Sequence, residues 1–395
     1  MRFWGITGTN GKTTTTWITA EFINADPARK CGYVTTVEVN TGTRRFYTGY
    51  TTPPHAQLKE IFAEMEANGC TDCVMEVSSH AIHQHRTGDT VFSGGVFTNL
   101  SEDHLDYHKT MEAYFDVKLD FARQIAAAHP TTPDMGRRDL PPYVVCLDGG
   151  YGREMFNAVG NLAVNVIGVS AGETGTRRTS GTSRTQPAYD LSRLQLAGDY
   201  NKSNVLCAAA LAEAAGVPHD MIQAVVPTLK PRWGRLEEVK LEGRGKREEG
   251  RGTPRVFVDF AHTPDGLEKV LAAARGFTPE GKKLWIVFGA GGDRDPMKRP
   301  LMGEACAKLA DRLVVTSDNP RSEDPMAIIN AIIGGLGGLD VKVEPDRKKA
   351  IEYALREAAE GDVVIIAGKG LETTQEIKGV KHPFDDREVV RNFQG

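Results

Sequence analysis

The segment Thr7-Gly8-Thr9-Asn10-Gly11-Lys12-Thr13 stands between a short apolar run at 3–6 and a helical pattern at 13–23. A glycine-containing turn between a strand and a helix can bring backbone N–H groups close to phosphate oxygens, and the helix N-terminus favours negative charge there. Lys12 can reach the outer phosphates and the Thr13 hydroxyl can ligate Mg²⁺. Gly8, Thr9, Asn10, Gly11 and Thr14 complete the expected ATP-binding loop. The strict pattern asks for glycine five residues before Gly11, where this chain has Ile6, so the loop is a variant. A nucleotide loop does not by itself name a reaction: kinases, ATPases and ligases all use one.

The rest of the pattern sets the architecture. Apolar runs at 73–77, 94–97, 143–147 and 164–169 read as strands, and helical patterns at 57–67, 111–128 and 203–215 lie among them. Alternating strands and helices imply a largely parallel sheet covered on both faces. Pro227, Pro231 and Gly234 break the pattern, which puts a domain boundary near residue 230. A second alternating set follows, with strands at 256–260, 284–288, 312–316 and 363–367 and helices at 265–274, 299–309, 325–333 and 348–359. The expected fold is α/β: a phosphate-loop ATPase domain over 1–230 with a mostly parallel sheet, then a smaller doubly wound α/β domain over 231–395. Residues 172–187 are expected to form a mobile surface loop, and 242–254 a hairpin insertion.

Composition excludes some functions. With 395 residues, 40% hydrophobic and 25% charged, the chain is an ordinary globular protein of two or three domains. A net charge of −4 leaves no basic footprint for nucleic acid. No apolar run is long enough to span a bilayer and no signal peptide is evident, so a cytoplasmic protein without membrane partners is expected. Six cysteines in a chain of this length do not describe a disulfide scaffold. The lone Cys70/Cys73 pair lacks a second pair of ligands and reads as small residues leading into a buried strand.

Polar residues collect at strand ends. Glu76 closes the run Val74-Met75-Glu76-Val77-Ser78-Ser79-His80 and could hold a metal on the same edge as the loop. His80, His83 and His85 are spaced so that they do not share one helical face, and mixed structural and substrate-facing roles are expected rather than a metal. After the next strand, His104 is a candidate ligand for a second metal. Lys118 lies about four helical turns further on, and by spacing alone it is a solvated lysine.

At this point the residues resemble a family. The phosphate loop, Thr51-Thr52-Pro53, the Glu76 segment and Asp103-His104-Leu105-Asp106-Tyr107-His108 are similar to motifs of the Mur ligases of peptidoglycan synthesis. So are Tyr200-Asn201-Lys202-Ser203-Asn204, Gly234-Arg235-Leu236-Glu237, Asp259-Phe260-Ala261-His262-Thr263-Pro264-Asp265, Gly292-Asp293-Arg294-Asp295, Asp318-Asn319-Pro320-Arg321 and Gly368-Lys369-Gly370-Leu371-Glu372. The resemblance implies an ATP-dependent ligase that activates a carboxylate as an acyl phosphate and joins it to an amine. It implies that Thr13 and Glu76 hold one Mg²⁺, that His104 helps hold a second, and that Lys118 carries a carbamate. With Lys12, these three residues Glu76, His104 and Lys118 form the implied catalytic set. Asn204, Arg235, Asp259 and His262 would contact ATP. Thr51, Thr52, Ser78, Gln84 and Arg86 would hold a UDP-linked muramyl-dipeptide.

Arg294, Asp318, Asn319, Arg321, Gly368 and Glu372 match the family's site for the incoming amino acid. Asp-Asn-Pro-Arg resembles the type that adds meso-diaminopimelate, whose zwitterionic far end needs a cation and an anion; Arg321 and Glu372 could supply them. Leu371 stands where the family commonly has histidine. The family's amino-terminal UDP-gripping domain has no counterpart in this sequence. A fragment, a separate UDP-binding chain or a substrate without the nucleotide is therefore expected. A relative adding lysine or another amino acid, and a non-catalytic nucleotide-binding partner of a complete ligase, remain alternatives.

Overall fold

The computed structural model describes residues 1–132, 135–172, 177–179, 189–232, 234–242 and 252–394. Backbone proximity divides the chain into two units, Met1–Ser101 with His108–Leu229, and Glu102–Tyr107 with Lys230–Gly395.

The first unit is built on one sheet of β1 (Arg2–Thr7), β2 (Cys31–Val34), β3 (Val39–Asn40), β4 (Arg45–Phe46), β5 (Asp72–Glu76), β6 (Phe92–Phe97), β7 (Pro142–Cys146), β8 (Asn165–Val169) and β9 (Arg177–Thr179). Their spatial order is β4-β3-β2-β5-β1-β6-β7-β8-β9. The interior from β2 to β8 is parallel, and β3, β4 and β9 add antiparallel edges. Every residue of β5 is buried, as expected of a parallel strand covered on both faces. β1 lies between β5 and β6, and its register pairs Ile6 with Glu76 and Thr7 with Phe97. The chain leaves β1 toward β2 on one side and later returns to β6 on the other. The carboxyl ends of β1, β5 and β6 therefore meet at a topological switch point, where open α/β sheets bind ligands.

The helix Met111–Ala128 is capped by Thr110, whose hydroxyl accepts from the Ala113 N–H. Tyr114, Lys118, Phe121 and Ile125, spaced at three or four residues, are buried on one of its faces. Lys118 is thus 1% exposed, and the solvated lysine suggested by spacing alone is corrected: its carbon stem occupies an apolar stripe. Residues 177–179, expected within a mobile loop, form the edge strand β9. Residues 173–176, 180–188 and 243–251, on which the rest of the loop and the hairpin insertion fall, lie outside the described residues. Cys70 and Cys73 are buried and unbridged.

At the opposite end of β5, buried Asp72 accepts hydrogen bonds from Trp4 Nε1 (2.9 Å) and from Arg29 Nε (3.0 Å) and Nη2 (2.6 Å). Burial alone would raise its pKa, but the bonds from Arg29, Trp4 and Thr71 outweigh that and hold it below the ordinary aspartate value. A depressed carboxylate stabilises the fold above the unfolded chain's pKa and loses that contribution as pH falls through the folded value. Asp72→Asn is therefore expected to lower stability by about 2–4 kcal/mol at neutral pH. Urea unfolding should show the gap closing below about pH 4.

The second unit has a sheet of β10 (Glu237–Glu238), β11 (Arg255–Asp259), β12 (Leu284–Phe288), β13 (Arg312–Val315), β14 (Lys342–Val343) and β15 (Val363–Ala367), in the order β10-β11-β15-β12-β13-β14. All pairs are parallel except β10 with β11. Helices Pro264–Phe277 and Pro325–Ile333 start with proline behind the capping residues Thr263 and Asp324. A hairpin of β16 (Thr374–Ile377) and β17 (Val380–Pro383) follows β15. Arg347, fully buried at the start of helix Arg347–Glu357, pairs with buried Asp386 at 2.7 Å and donates to the Ala367 carbonyl, tying the last helix to the end of β15.

Candidate active site

The phosphate loop is held from below by the segment after β6. Thr98 Oγ1 donates to the Asn10 carbonyl (2.6 Å), as does Asn99 Nδ2 (3.0 Å), while Asn99 Oδ1 accepts from the Asn10 N–H (2.9 Å) and the Asn99 carbonyl from the Thr9 N–H (2.9 Å). Gly8 and Gly11 have φ of 149° and 81°. A Cβ on Gly8 would lie 1.9 Å from Thr98 Oγ1, and one on Gly11 2.4 Å from Asn204 Oδ1. The loop thus needs glycine at both places, for backbone angle and for close approach. Asn204, expected at ATP, is buried on helix Asp199–Ala214, where its Oδ1 accepts from Thr15 Oγ1 and its Nδ2 donates to Asn201 Oδ1. Lys12 Nζ folds back onto the Gly8 (2.9 Å) and Thr9 (2.7 Å) carbonyls. Thr13 is buried and Thr14 partly exposed in the first helical turn.

Glu76 is 1% exposed at the carboxyl end of β5. Its carboxylate accepts from the Thr36 N–H (2.8 Å) and Thr36 Oγ1 (3.0 Å), and Thr36 Oγ1 lies 3.0 Å from Thr51 Oγ1. Thr52 Oγ1 donates to the Glu76 carbonyl and accepts from the Ser78 N–H. Arg86 donates to Gln84 Oε1 and to the Thr52 carbonyl. The five residues expected at the muramyl-dipeptide thus form one network with Glu76. Thr36, which links Thr51 to Glu76, was missed from the sequence.

Lys118 Nζ donates to the Gly8 carbonyl at 3.0 Å and lies 4.7 Å from the centre of the Tyr114 ring. Two lysine amines, of Lys12 and Lys118, therefore converge on one carbonyl of the phosphate loop. Tyr114 Oη is 3.2 Å from Thr9 Oγ1, and its ring stacks on buried His108, whose Nε2 is 2.9 Å from Ser79 Oγ. His80 and His83 meet His108 edge-on, whereas His85 is exposed at positive φ. Among the described residues, no group of three or more His, Cys, Asp or Glu side chains could hold a metal.

In the second unit, His104 adopts positive φ, and its Nε2 lies 3.4 Å from Asp103. Asp259 closes β11 and accepts from the Leu236 and Ala261 N–H groups, both at 2.7 Å. Its pKa is nevertheless raised by burial, which outweighs Arg235 and those two bonds. The Arg235 guanidinium lies 4.8 Å over the Phe260 ring. His262 Nδ1 is 2.7 Å from the Phe260 carbonyl, which only accepts, so Nδ1 carries the proton. Burial and then nearby Lys298 push its pKa down, leaving Nε2 of the neutral ring as an acceptor.

The residues expected at the amino acid also come together. Asn319 Nδ2 donates to Glu372 Oε2 (2.7 Å), and fully buried Lys369 donates to both Asn319 Oδ1 (3.1 Å) and Glu372 Oε2 (2.9 Å). Asp318 Oδ2 is buried without a hydrogen bond, 4.0 Å from Arg347 Nη1, and a Cβ on Gly368 would reach it. Arg321, at φ 52°, donates to the Gly292 carbonyl. A Cβ on Gly291 would lie 2.9 Å from Arg321 Nη1 and 3.8 Å from the Arg294 Cγ methylene. Burial and the Arg321 charge lower the pKa of Arg294; an incoming carboxylate would relieve both. The sequence motif around Lys369 gives no sign of this role.

Residues 6–212 match the Mur ligase middle domain, and residues 243–370 match the Mur ligase glutamate ligase domain. The chain belongs to the Mur ligase family. It is an ATP-dependent ligase that forms amide bonds. It is 40% identical over 415 residues to the UDP-N-acetylmuramoyl-L-alanyl-D-glutamate–2,6-diaminopimelate ligase of Synechococcus elongatus, covering 99% of this chain and 76% of the relative. It is 37% identical to the ligase of the same name from Neisseria meningitidis, covering 99% and 77%. A solved structure of a ligase of that name is 31% identical and covers 100% of this chain and 78% of its own, with a TM-score of 0.59. As in other Mur ligases, the fold is α/β with mostly parallel sheets. No helix among the described residues is long and apolar enough to cross a membrane.

Proposed function

We propose that this chain joins meso-diaminopimelate to the carboxylate of UDP-N-acetylmuramoyl-L-alanyl-D-glutamate, with ATP supplying the phosphate of an acyl-phosphate intermediate. The observation that carries the amino-acid choice is Arg321, whose Nη1 is fixed on the Gly292 carbonyl two residues before Arg294. The Asn319–Glu372–Lys369 network belongs to the same constellation. Guanidinium forks suit a carboxylate, and the carboxylate of Glu372 suits an ammonium. Lysine lacks the distal carboxylate that would use one of the arginines.

ATP suits the phosphate loop, because Gly8 and Gly11 let its backbone take positive φ and pack against Thr98 and Asn204 directly ahead of a helix N-terminus, which favours phosphate. Lys12 would exchange the two loop carbonyls for phosphate oxygens. Mg²⁺ suits the donors present: the Thr13 hydroxyl and the Glu76 carboxylate are oxygens, and this ion is commonly held by one or two carboxylates together with substrate phosphates. When bound, it would spread the charge that builds up between carboxylate and phosphate. His104 and a carbamate on Lys118 are proposed for a second ion. The carbamate would also convert two crowded amines at the Gly8 carbonyl into an opposite-charge pair.

Thr51, Thr52, Ser78, Gln84 and Arg86 would hold the muramyl-dipeptide on the Glu76 network, while Asn204, Arg235, Asp259 and His262 would hold the nucleotide. We assign residues 1–230 to ATP binding and 231–395 to amino-acid binding. The enzyme's contribution is then positioning and charge neutralisation, without a protein nucleophile. An ATP-consuming reaction on a nucleotide-linked sugar supports a cytoplasmic location.

ADP release should require both the muramyl-dipeptide and diaminopimelate, with turnover on diaminopimelate exceeding that on L-lysine by roughly 100-fold. Release without either substrate, or faster turnover with lysine, would overturn the assignment. ATP binding without amide product would identify a non-catalytic partner.

A further inference from the structure

The β16–β17 hairpin stands apart from the six-stranded sheet of the second unit, yet it grips the segment expected at the amino acid. The Arg321 N–H donates to the Glu376 carbonyl (3.0 Å), and the Lys378 N–H donates to the Arg321 carbonyl (2.6 Å), so the hairpin clamps Arg321 from both backbone sides. The Glu376 N–H donates to Asn319 Oδ1 (2.9 Å), and Gln375 Nε2 to the Asp318 carbonyl (2.7 Å). The Glu376 carboxylate lies 3.7 Å from Arg321 Nε, with both side chains partly shielded from solvent. Arg321 Nη1 is tied to the Gly292 carbonyl at 2.6 Å. Four contacts thus fix Arg321, two on its left-handed backbone and two on its guanidinium, and Glu376 supplies one of each.

We infer that Glu376 is a specificity-determining positioning residue: it orients Arg321 toward the distal carboxylate of the incoming diamino acid. A free arginine has many rotamers, and a fork recognises a carboxylate through two bonds only when its plane is fixed. Glu376 anchors Nε and the Gly292 carbonyl takes one terminal nitrogen. The remaining terminal N–H groups are left to point at the ligand. Glu376 therefore acts through Arg321 rather than on the reacting atoms. It should affect only amino acids that carry the second carboxylate. The inference rests on the amino-acid assignment proposed above.

The test compares wild-type enzyme, Glu376→Gln and Glu376→Asp on meso-diaminopimelate and on L-lysine. The ratio of the two kcat/KM values is taken within each variant, so it does not depend on how much protein is folded. Glu376→Gln should raise KM for diaminopimelate roughly three- to tenfold, with kcat and the KM for ATP within about twofold. The weak activity on lysine should stay unchanged, narrowing the preference, and Glu376→Asp should recover part of it. In an Arg321→Lys background the same substitution should have little further effect. An unchanged diaminopimelate-to-lysine ratio in Glu376→Gln would overturn the inference, as would equal losses on both amino acids. A wild-type enzyme that does not prefer diaminopimelate would instead overturn the assignment beneath it.

Discussion

Replacing Lys12 with alanine is expected to lower product formation by about 10³-fold or more, while leaving the fold intact. The expectation follows from where Lys12 Nζ sits, on the Gly8 and Thr9 carbonyls at 2.9 and 2.7 Å. Those carbonyls belong to the loop itself, so the amine is held at the place where phosphate oxygens would arrive and needs only a rotamer change to reach them. Losing two partly exposed hydrogen bonds should cost about 1 kcal/mol or less of stability. Losing the cation at the transferring phosphoryl group removes charge stabilisation just where charge develops. ADP release under saturating muramyl-dipeptide and diaminopimelate measures the first effect, and thermal unfolding the second. Lys12→Arg should rescue little, because a planar guanidinium does not reproduce the compact ammonium held by the Gly8 and Thr9 carbonyls. A normal rate in Lys12→Ala would mean that the triphosphate does not lie on this loop.

Much of this site could be read in the sequence, and the physical reason differs from residue to residue. The phosphate loop was legible because its glycines, lysine and threonine lie side by side between a strand and a helix. The core strands β1, β5, β6, β12 and β15 were legible as apolar runs, since parallel strands bury both faces. β2 is only four residues long and includes Gly32, and β3 and β4 are two residues each, too short for a pattern. The β16–β17 hairpin buries none of its strand residues, so it shows no apolar alternation. Thr36, Asn99 and Tyr114 serve the site through local hydrogen bonds and ring contacts, and isolated residues of these types leave no spacing signal. Lys118 is the instructive case. Measured from His104 it resembles a surface lysine, because the helix does not run through from one to the other. Measured against Tyr114, Phe121 and Ile125 it is a lone charge on an apolar face, and that arrangement was present in the sequence to be found.

That buried position leads to the second large effect. Lys118→Ala should lower turnover by about 10²–10³-fold, and high concentrations of formate or acetate should restore a measurable part of it. Lys118→Arg should stay inactive with either acid. A lysine that remained an ammonium would, although buried itself, share the Gly8 carbonyl with a second ammonium, partly exposed Lys12, at 3.0 and 2.9 Å. Like charges that close are unfavourable, and neither could serve as a ligand for a hard cation. Addition of CO₂ to the neutral amine forms an N–C bond and releases a proton, giving an anionic oxygen donor at the same place. Small carboxylic acids can supply such an oxygen to the space left by alanine. Arginine keeps the positive charge and fills the space. If Lys118→Arg retained more than half of the activity, or if neither acid restored any turnover to Lys118→Ala, the residue would be acting as a cation or as packing. The carbamate would then have to be abandoned.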